Sequence, residues 1–136
     1  MPGPAFNLQA VQILNTVYSA SSGGSSTGVD ISPAIGPITM LISDRTGGTA
    51  AATITVEHSA VLGSGYTTVP ASAITTVPNG VATPFDNLGT TVYAEVRQIN
   101  RQQLQQFVRI TIAGTTITHN VAASIAYAVE NTGEIV

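Results

Sequence analysis

Few side chains in this sequence have the chemistry of a catalyst or a metal ligand. The two histidines are His58 and His119. Each falls in the apolar phase of an alternating run, which predicts a place inside or at the rim of a sheet. Meeting across a sandwich, they would form two ligands of a metal ion or an acid/base couple. No paired-histidine or zinc-helix motif and no carboxylate cluster accompanies them, so a hydrogen-bonded strand histidine is the reading favoured for each. Ser64, in Gly63-Ser64-Gly65, is the nearest approach to a serine at a sharp turn. It lacks the strand-to-helix frame that exposes a nucleophile to a base. The acids Asp30, Asp44, Glu57, Asp86, Glu95, Glu130 and Glu134 are scattered, and no two stand out as a hydrolytic pair. Gly23-Gly24 and Gly47-Gly48 do not make a phosphate loop, since lysine is absent altogether. Asp44-Arg45 and Asp86-Asn87 do not have calcium-loop spacing. The expectation is therefore no catalytic, cofactor-binding or metal-ligating residue, no cofactor, and no enzymatic activity.

Composition narrows the class further. The chain has 136 residues, one domain's worth, of which 43% are hydrophobic and only 8% charged. Four arginines (Arg45, Arg97, Arg101 and Arg109) against seven acids leave a formal net charge of -3. That balance cannot build the basic patch a nucleic-acid partner needs. With no cysteine there is no disulfide framework and no thiolate zinc site. No run is apolar for long enough to span a bilayer as a helix, and the Met1-Pro2-Gly3-Pro4 start does not read as a secretory signal. Neither nucleic acid nor membrane is expected as a partner. Positive mean hydropathy of +0.30 argues against intrinsic disorder. A freely diffusing protein usually carries more charge than this, so faces covered by neighbours in an assembly are expected.

The elements that must position these residues are strands. Val, Ile and Thr number 46, and β-branched residues pack well on a pleated surface. Clean alternation predicts strands over 50–59, 91–99, 107–113 and 116–129. The near-continuous apolar run 37–43 predicts a strand buried on both faces. Shorter pieces are expected at 29–32, 67–69 and 73–77, the last two cut by Pro70 and Pro78 and so read as edges. The phase of 11–19 is broken, which predicts a bulge or bend. The Ser/Gly stretch 21–28 reads as a loop tip, and 100–106 as a single helical turn. About eight strands with regular turn signals predict an all-β fold: an antiparallel two-sheet sandwich, jelly-roll-like, with an immunoglobulin-like sandwich as runner-up. Residues 1–10, with two early prolines, are expected as an extended N-terminal arm, and 11–136 as a single β-sandwich domain. Phe6 and Leu8 of the arm are candidate interface residues. So are Arg97, Arg101 and Arg109, which could line one surface and receive a neighbour's acids, or else form ordinary cross-strand pairs with Glu95 or Glu57.

The order of segments resembles the small β-sandwich virion proteins of tailed bacteriophages, especially capsid cement or decoration proteins. The similarity runs from Val29-Asp30-Ile31-Ser32 through the strands 38–43 and 52–59. It continues through Tyr66-Thr67-Thr68-Val69-Pro70 and 73–77, then Phe107-Val108-Arg109, the Gly114-Thr115 turn and the small-residue strand to Val129. The resemblance implies a structural protein on the outside of an icosahedral head, bridging major capsid subunits and stabilising the shell. It implies a virion location, the major capsid protein as partner, and a homo-oligomer, with a trimer as the form suited to local three-fold positions. Repeated weak contacts around a shell would add by avidity. Two alternatives stay open: a tail, neck or fibre component, and a carbohydrate-binding, adhesin-like module. The latter is disfavoured by 5% aromatic residues and no Trp.

Overall fold

The computed structural model describes residues 6–20, 24–48, 50–77, 80–114 and 117–130. Among these residues, ten strands form two antiparallel sheets: β1 (Phe6–Ala20), β2 (Gly24–Ser25), β3 (Val29–Asp30), β4 (Ile38–Asp44), β5 (Thr53–Ser59), β6 (Thr67–Thr68), β7 (Ile74–Thr76), β8 (Tyr93–Ile99), β9 (Phe107–Ala113) and β10 (Ile117–Glu130). One sheet runs β1-β10-β4-β8-β7; the other runs β2-β9-β5-β6, with β3 also on β9. The pairs β1·β10, β2/β3·β9, β4·β8 and β5·β6 nest from the ends of the chain inward. A long hairpin rolled up on itself gives this order, so the jelly-roll expectation holds. A 3₁₀ turn at Arg101–Gln103 stands where one helical turn was predicted, capped by the Asn100 side chain accepting from the Gln102 amide.

Alternation decides what is buried. Ile38, Met40 and Ile42 of β4 and Val121, Ala123 and Ile125 of β10 point inward from the first sheet. Val56 of β5 and Val108, Ile110 and Ile112 of β9 meet them from the second. One continuous core results, and Ile31, Leu88 and Val69 from the connections close it.

Three segments depart from the sequence reading. Of the arm expected over 1–10, the part Phe6–Ala10 pairs with Ala126–Glu130 and belongs to the sheet. The early prolines lie before Phe6, and nothing after them prevents pairing; residues 1–5 lie outside the described residues. The register shift between Gln12 and Leu14 is the bulge that the broken phase predicts. The described part of the Ser/Gly stretch is not only a loop tip. Gly24 and Ser25 pair with Ile112 and Thr111, and Ser26 exchanges hydrogen bonds with Ile110 through its amide and hydroxyl.

Strand β8 is the third departure. Val96, and Val92 just before the strand, are 40% and 70% exposed, whereas Tyr93, Glu95 and Arg97 share the inner face with buried Ile99. The register makes this unavoidable, because those three lie opposite buried Asp44, Ile42 and Met40. The segment 83–86 crosses over them and satisfies their polar atoms. Arg97 Nε donates to the Thr83 carbonyl at 2.9 Å, Tyr93 Oη donates to the Asp86 carbonyl at 3.2 Å, and the Asp86 amide donates to Glu95 at 3.3 Å.

Candidate interaction surface

The ionisable groups are distributed among internal partners. His119 is fully buried in β10, and its two ring nitrogens face acceptors: Asp44 Oδ2 at 2.5 Å and the Ala50 carbonyl at 2.8 Å. Asp44, also fully buried, accepts with its other oxygen from the amides of Asn120, Thr46 and Gly47. The pair therefore pins the β4–β5 connection against β10. Gly47 has φ +67°, and a methyl group on Gly48 would lie 2.3 Å from the His119 ring, so both glycines are required where they stand.

His58 lies at the other end of β5, half-buried, and its Nδ1 accepts from the Gln105 amide at 3.2 Å. Burial holds its ring below the ordinary histidine pKa. The two histidines thus occupy opposite ends of the sandwich and do not meet. Among the described residues, no group of three or more His, Cys, Asp or Glu is placed to hold a metal ion. Ser64 lies on an exposed turn closed by the Ser59 hydroxyl, which donates to the Ser64 carbonyl and accepts from the Val61 amide. Both histidines are engaged elsewhere.

The three arginines singled out by sequence spacing do not share a surface. Arg97 lies between the sheets, 2.6 Å from Glu95 and over the Phe85 ring at 5.6 Å. Arg101 donates to the carbonyls of Ile31 and Leu104 and so ties the 3₁₀ turn to the chain entering the core. Arg109 is on the outer face of the second sheet, 2.9 Å from Glu57 on the adjacent strand and stacked on Tyr66 at 3.9 Å. The Arg109–Glu57 contact is the cross-strand alternative the sequence offered, since the two residues are register partners. Thr111 also donates to Glu57, and Ser25 reaches Thr111, so a polar network covers this face. Tyr66 can lie there because Gly28 beneath it has no side chain; a methyl group would stand 2.0 Å from the phenol oxygen. Of the predicted arm contacts, Phe6 begins β1 opposite Glu130, and Leu8 is 74% exposed.

The outer face of the first sheet is different in kind. Register places Ala10, Ala126, Thr39, Gln98 and Thr75 in one row across five strands. A second row holds Gln12, Ser124, Leu41 and Val96, and a third Asn15, Ala122, Ser43 and Ala94. None of these thirteen positions carries a charge. Leu41 and Val96 are directly opposed and each about 40% exposed, a small apolar ridge amid Ala, Ser and Thr. Sequence patterning put Ala122, Ser124 and Ala126 in the non-core phase of their strand, but it read 37–43 as buried on both faces, which the exposure of Leu41 corrects, and it put Ala94 and Val96 in the apolar phase of 91–99. It could not show that the five strands assemble one uncharged plane, because that depends on which strands are neighbours.

The described residues also form two concavities. A cleft of about 530 Å³ lies at one end of the first sheet, lined among others by Ile35, Pro37, Thr75, Gln98, Asn100 and Arg101. A dimple of about 230 Å³ lies under Pro84 and Phe85. Neither contains a histidine or a carboxylate. Among the described residues, no helix is long and apolar enough to cross a membrane. No family model, curated protein or solved structure matches the chain.

Proposed function

We propose that this chain is a virion structural protein of the capsid-decoration type. It docks by the uncharged outer face of the β1-β10-β4-β8-β7 sheet on major capsid subunits at the head's outer surface, and bridges them without catalysing a reaction. The observation that carries this reading is the uncharged plane itself. Covering a surface of Ala, Ser, Thr, Leu and Val strips water from no ion, so a broad contact avoids the largest cost of burial. The other sheet turns the Glu57–Arg109–Tyr66 network outward and suits the solvent side. Jelly rolls serve in viral capsids and in lectins alike, so the fold supports the reading without distinguishing these uses. Many such contacts repeated over a shell hold firmly even when each is weak.

Co-sedimentation tests this reading. The chain is mixed with empty shells assembled from a tailed-phage major capsid protein of the genome that encodes the chain. Saturable retention at a fixed ratio to capsid subunits is expected. Leu41→Lys and Val96→Lys should each lower retention at least about tenfold, since each places an ammonium group in a dry contact. Both sites are already exposed, so the melting temperature should hold. A chain left in the supernatant at saturating concentration overturns the proposal. Retention on tails instead of heads would relocate the protein within the virion, and glycan binding without particle binding would favour an adhesin.

A further inference from the structure

The two sheets end in strands of very different character. At one end of the first sheet, β7 is three residues long, and its outer side is already occupied. Thr75 bridges Ala82, the Thr76 amide donates to the Val81 carbonyl, and the Thr83 amide donates to the Ile74 carbonyl. The edges of the second sheet are pairs of two residues each, and Pro70 follows shortly after β6. Short strands, prolines and covering loops are the usual means of keeping an edge from recruiting another chain.

Strand β1 has almost none of this protection. It is the longest strand, fifteen residues from Phe6 to Ala20, spanning about 50 Å at the usual rise per residue. It contains no charged residue, no proline and no glycine. It pairs with β10 on one side only, and among the described residues no segment pairs with its other side. Its alternate backbone N–H and C=O groups point outward along that whole length, a ready template for a further strand. The one interruption is the bulge between Gln12 and Leu14, which leaves seven-residue runs on either side.

We infer that this edge pairs antiparallel with β1 of a second copy of the chain, making a two-fold dimer with one continuous sheet. Symmetry selects that occupant. A head-to-tail ring would need a second open edge to receive β1, and the described edges offer none. An isologous pair needs only the edge that exists. Self-pairing also brings no like charges together in any register, because β1 has no charges. Centred on Ile13, it sets 6–12 of one copy against 14–20 of the other and keeps both bulges on the axis. The uncharged outer face then extends across the dimer as one plane. The inference stands on the edge alone and does not depend on the virion reading.

Sedimentation velocity of the full chain between micromolar and hundred-micromolar concentrations tests it, combined with amide hydrogen exchange over the same range. A monomer–dimer equilibrium is expected, with the outward-facing amides of β1 exchanging at least about tenfold more slowly in the dimer. Ala10→Lys, at an exposed site on β1, should raise the dimer dissociation constant at least about tenfold, because the two-fold doubles every added charge. Far-UV circular dichroism of that variant checks that its sheets are intact, and the exchange measurement on the unaltered chain stands whatever the variant does. A monomer at hundred-micromolar concentration overturns the inference. So does a dimer whose concentration-dependent protection falls outside β1, or one in which β1 amides stay unprotected until a different protein is added.

Discussion

The ring of His119 faces an acceptor on each nitrogen, the Asp44 carboxylate and the Ala50 carbonyl. With both nitrogens engaged, its role is to hold the β4–β5 connection on β10. Removing one member of a buried, hydrogen-bonded pair leaves the other without a partner. His119→Ala is expected to cost about 3–5 kcal/mol in chemical denaturation, and Asp44→Ala a similar amount. His58 gives a separate, smaller effect with a definite sign. Its folded pKa lies below the ordinary value near 6.5 because burial disfavours the charged ring. The unfolded chain then binds the proton more readily. The stability His58 contributes is complete above about pH 6.5 and is lost as pH falls through the lower folded value. Protonation also removes the acceptor for the Gln105 amide. Comparing denaturation curves of the unaltered chain and His58→Gln between pH 7.5 and 5 on an arbitrary sampling grid of roughly half-unit steps should show a shallower acid-side decline in the variant.

At the scale of elements, β8 shows how neighbours overrule a strand's own hydrophobicity. Its Val-rich phase is turned to solvent, and Tyr93, Glu95 and Arg97 are turned inward under the 83–86 segment. Burial raises the pKa of both Glu95 and Tyr93, a sign that this inner position is costly for the carboxylate. Arg97 offsets that cost through the 2.6 Å contact and leans on Phe85. The two residues should be strongly coupled. In a double-mutant cycle with Glu95→Gln and Arg97→Met, each single change should destabilise, and the double variant should lose less than their sum by about 0.5–3 kcal/mol. A zero coupling energy in urea denaturation would contradict the picture. Gly28→Ala should displace Tyr66 from Arg109 and lower the melting temperature, because its methyl group has no space.

The whole molecule is held shut by its first and last described strands. β1 and β10 pair along nearly their full length, so the outermost strands of the chain close the roll. Deleting Phe6–Ala20 would uncover β10, whose inner residues fill the core. The shortened chain should aggregate and show no cooperative thermal transition, rather than fold as a smaller sandwich. Most pairings also join residues far apart in sequence, and such topologies fold on the millisecond-to-second scale; stopped-flow refolding should fall in that range.

Period-two alternation was enough to find the long strands 53–59, 93–99, 107–113 and 117–130, and for β9 and β10 it also named the buried side. In β9 and β10 the Val and Ile residues fall in one phase only, and water enforces the same choice in any sandwich. The sequence likewise pointed to His119 as a hydrogen-bonded strand residue, and its few charges pointed to surfaces without ions. It could not supply Asp44 as the partner, the separation of Arg97, Arg101 and Arg109, the inverted face of β8 or the pairing of Gly24–Ser25. Each of these depends on which distant strand lies alongside, and local pattern carries no record of that. Only the tertiary structure placed β1 at an open edge and joined rows from five strands into one uncharged plane, because edges and faces belong to a sheet and not to any strand alone.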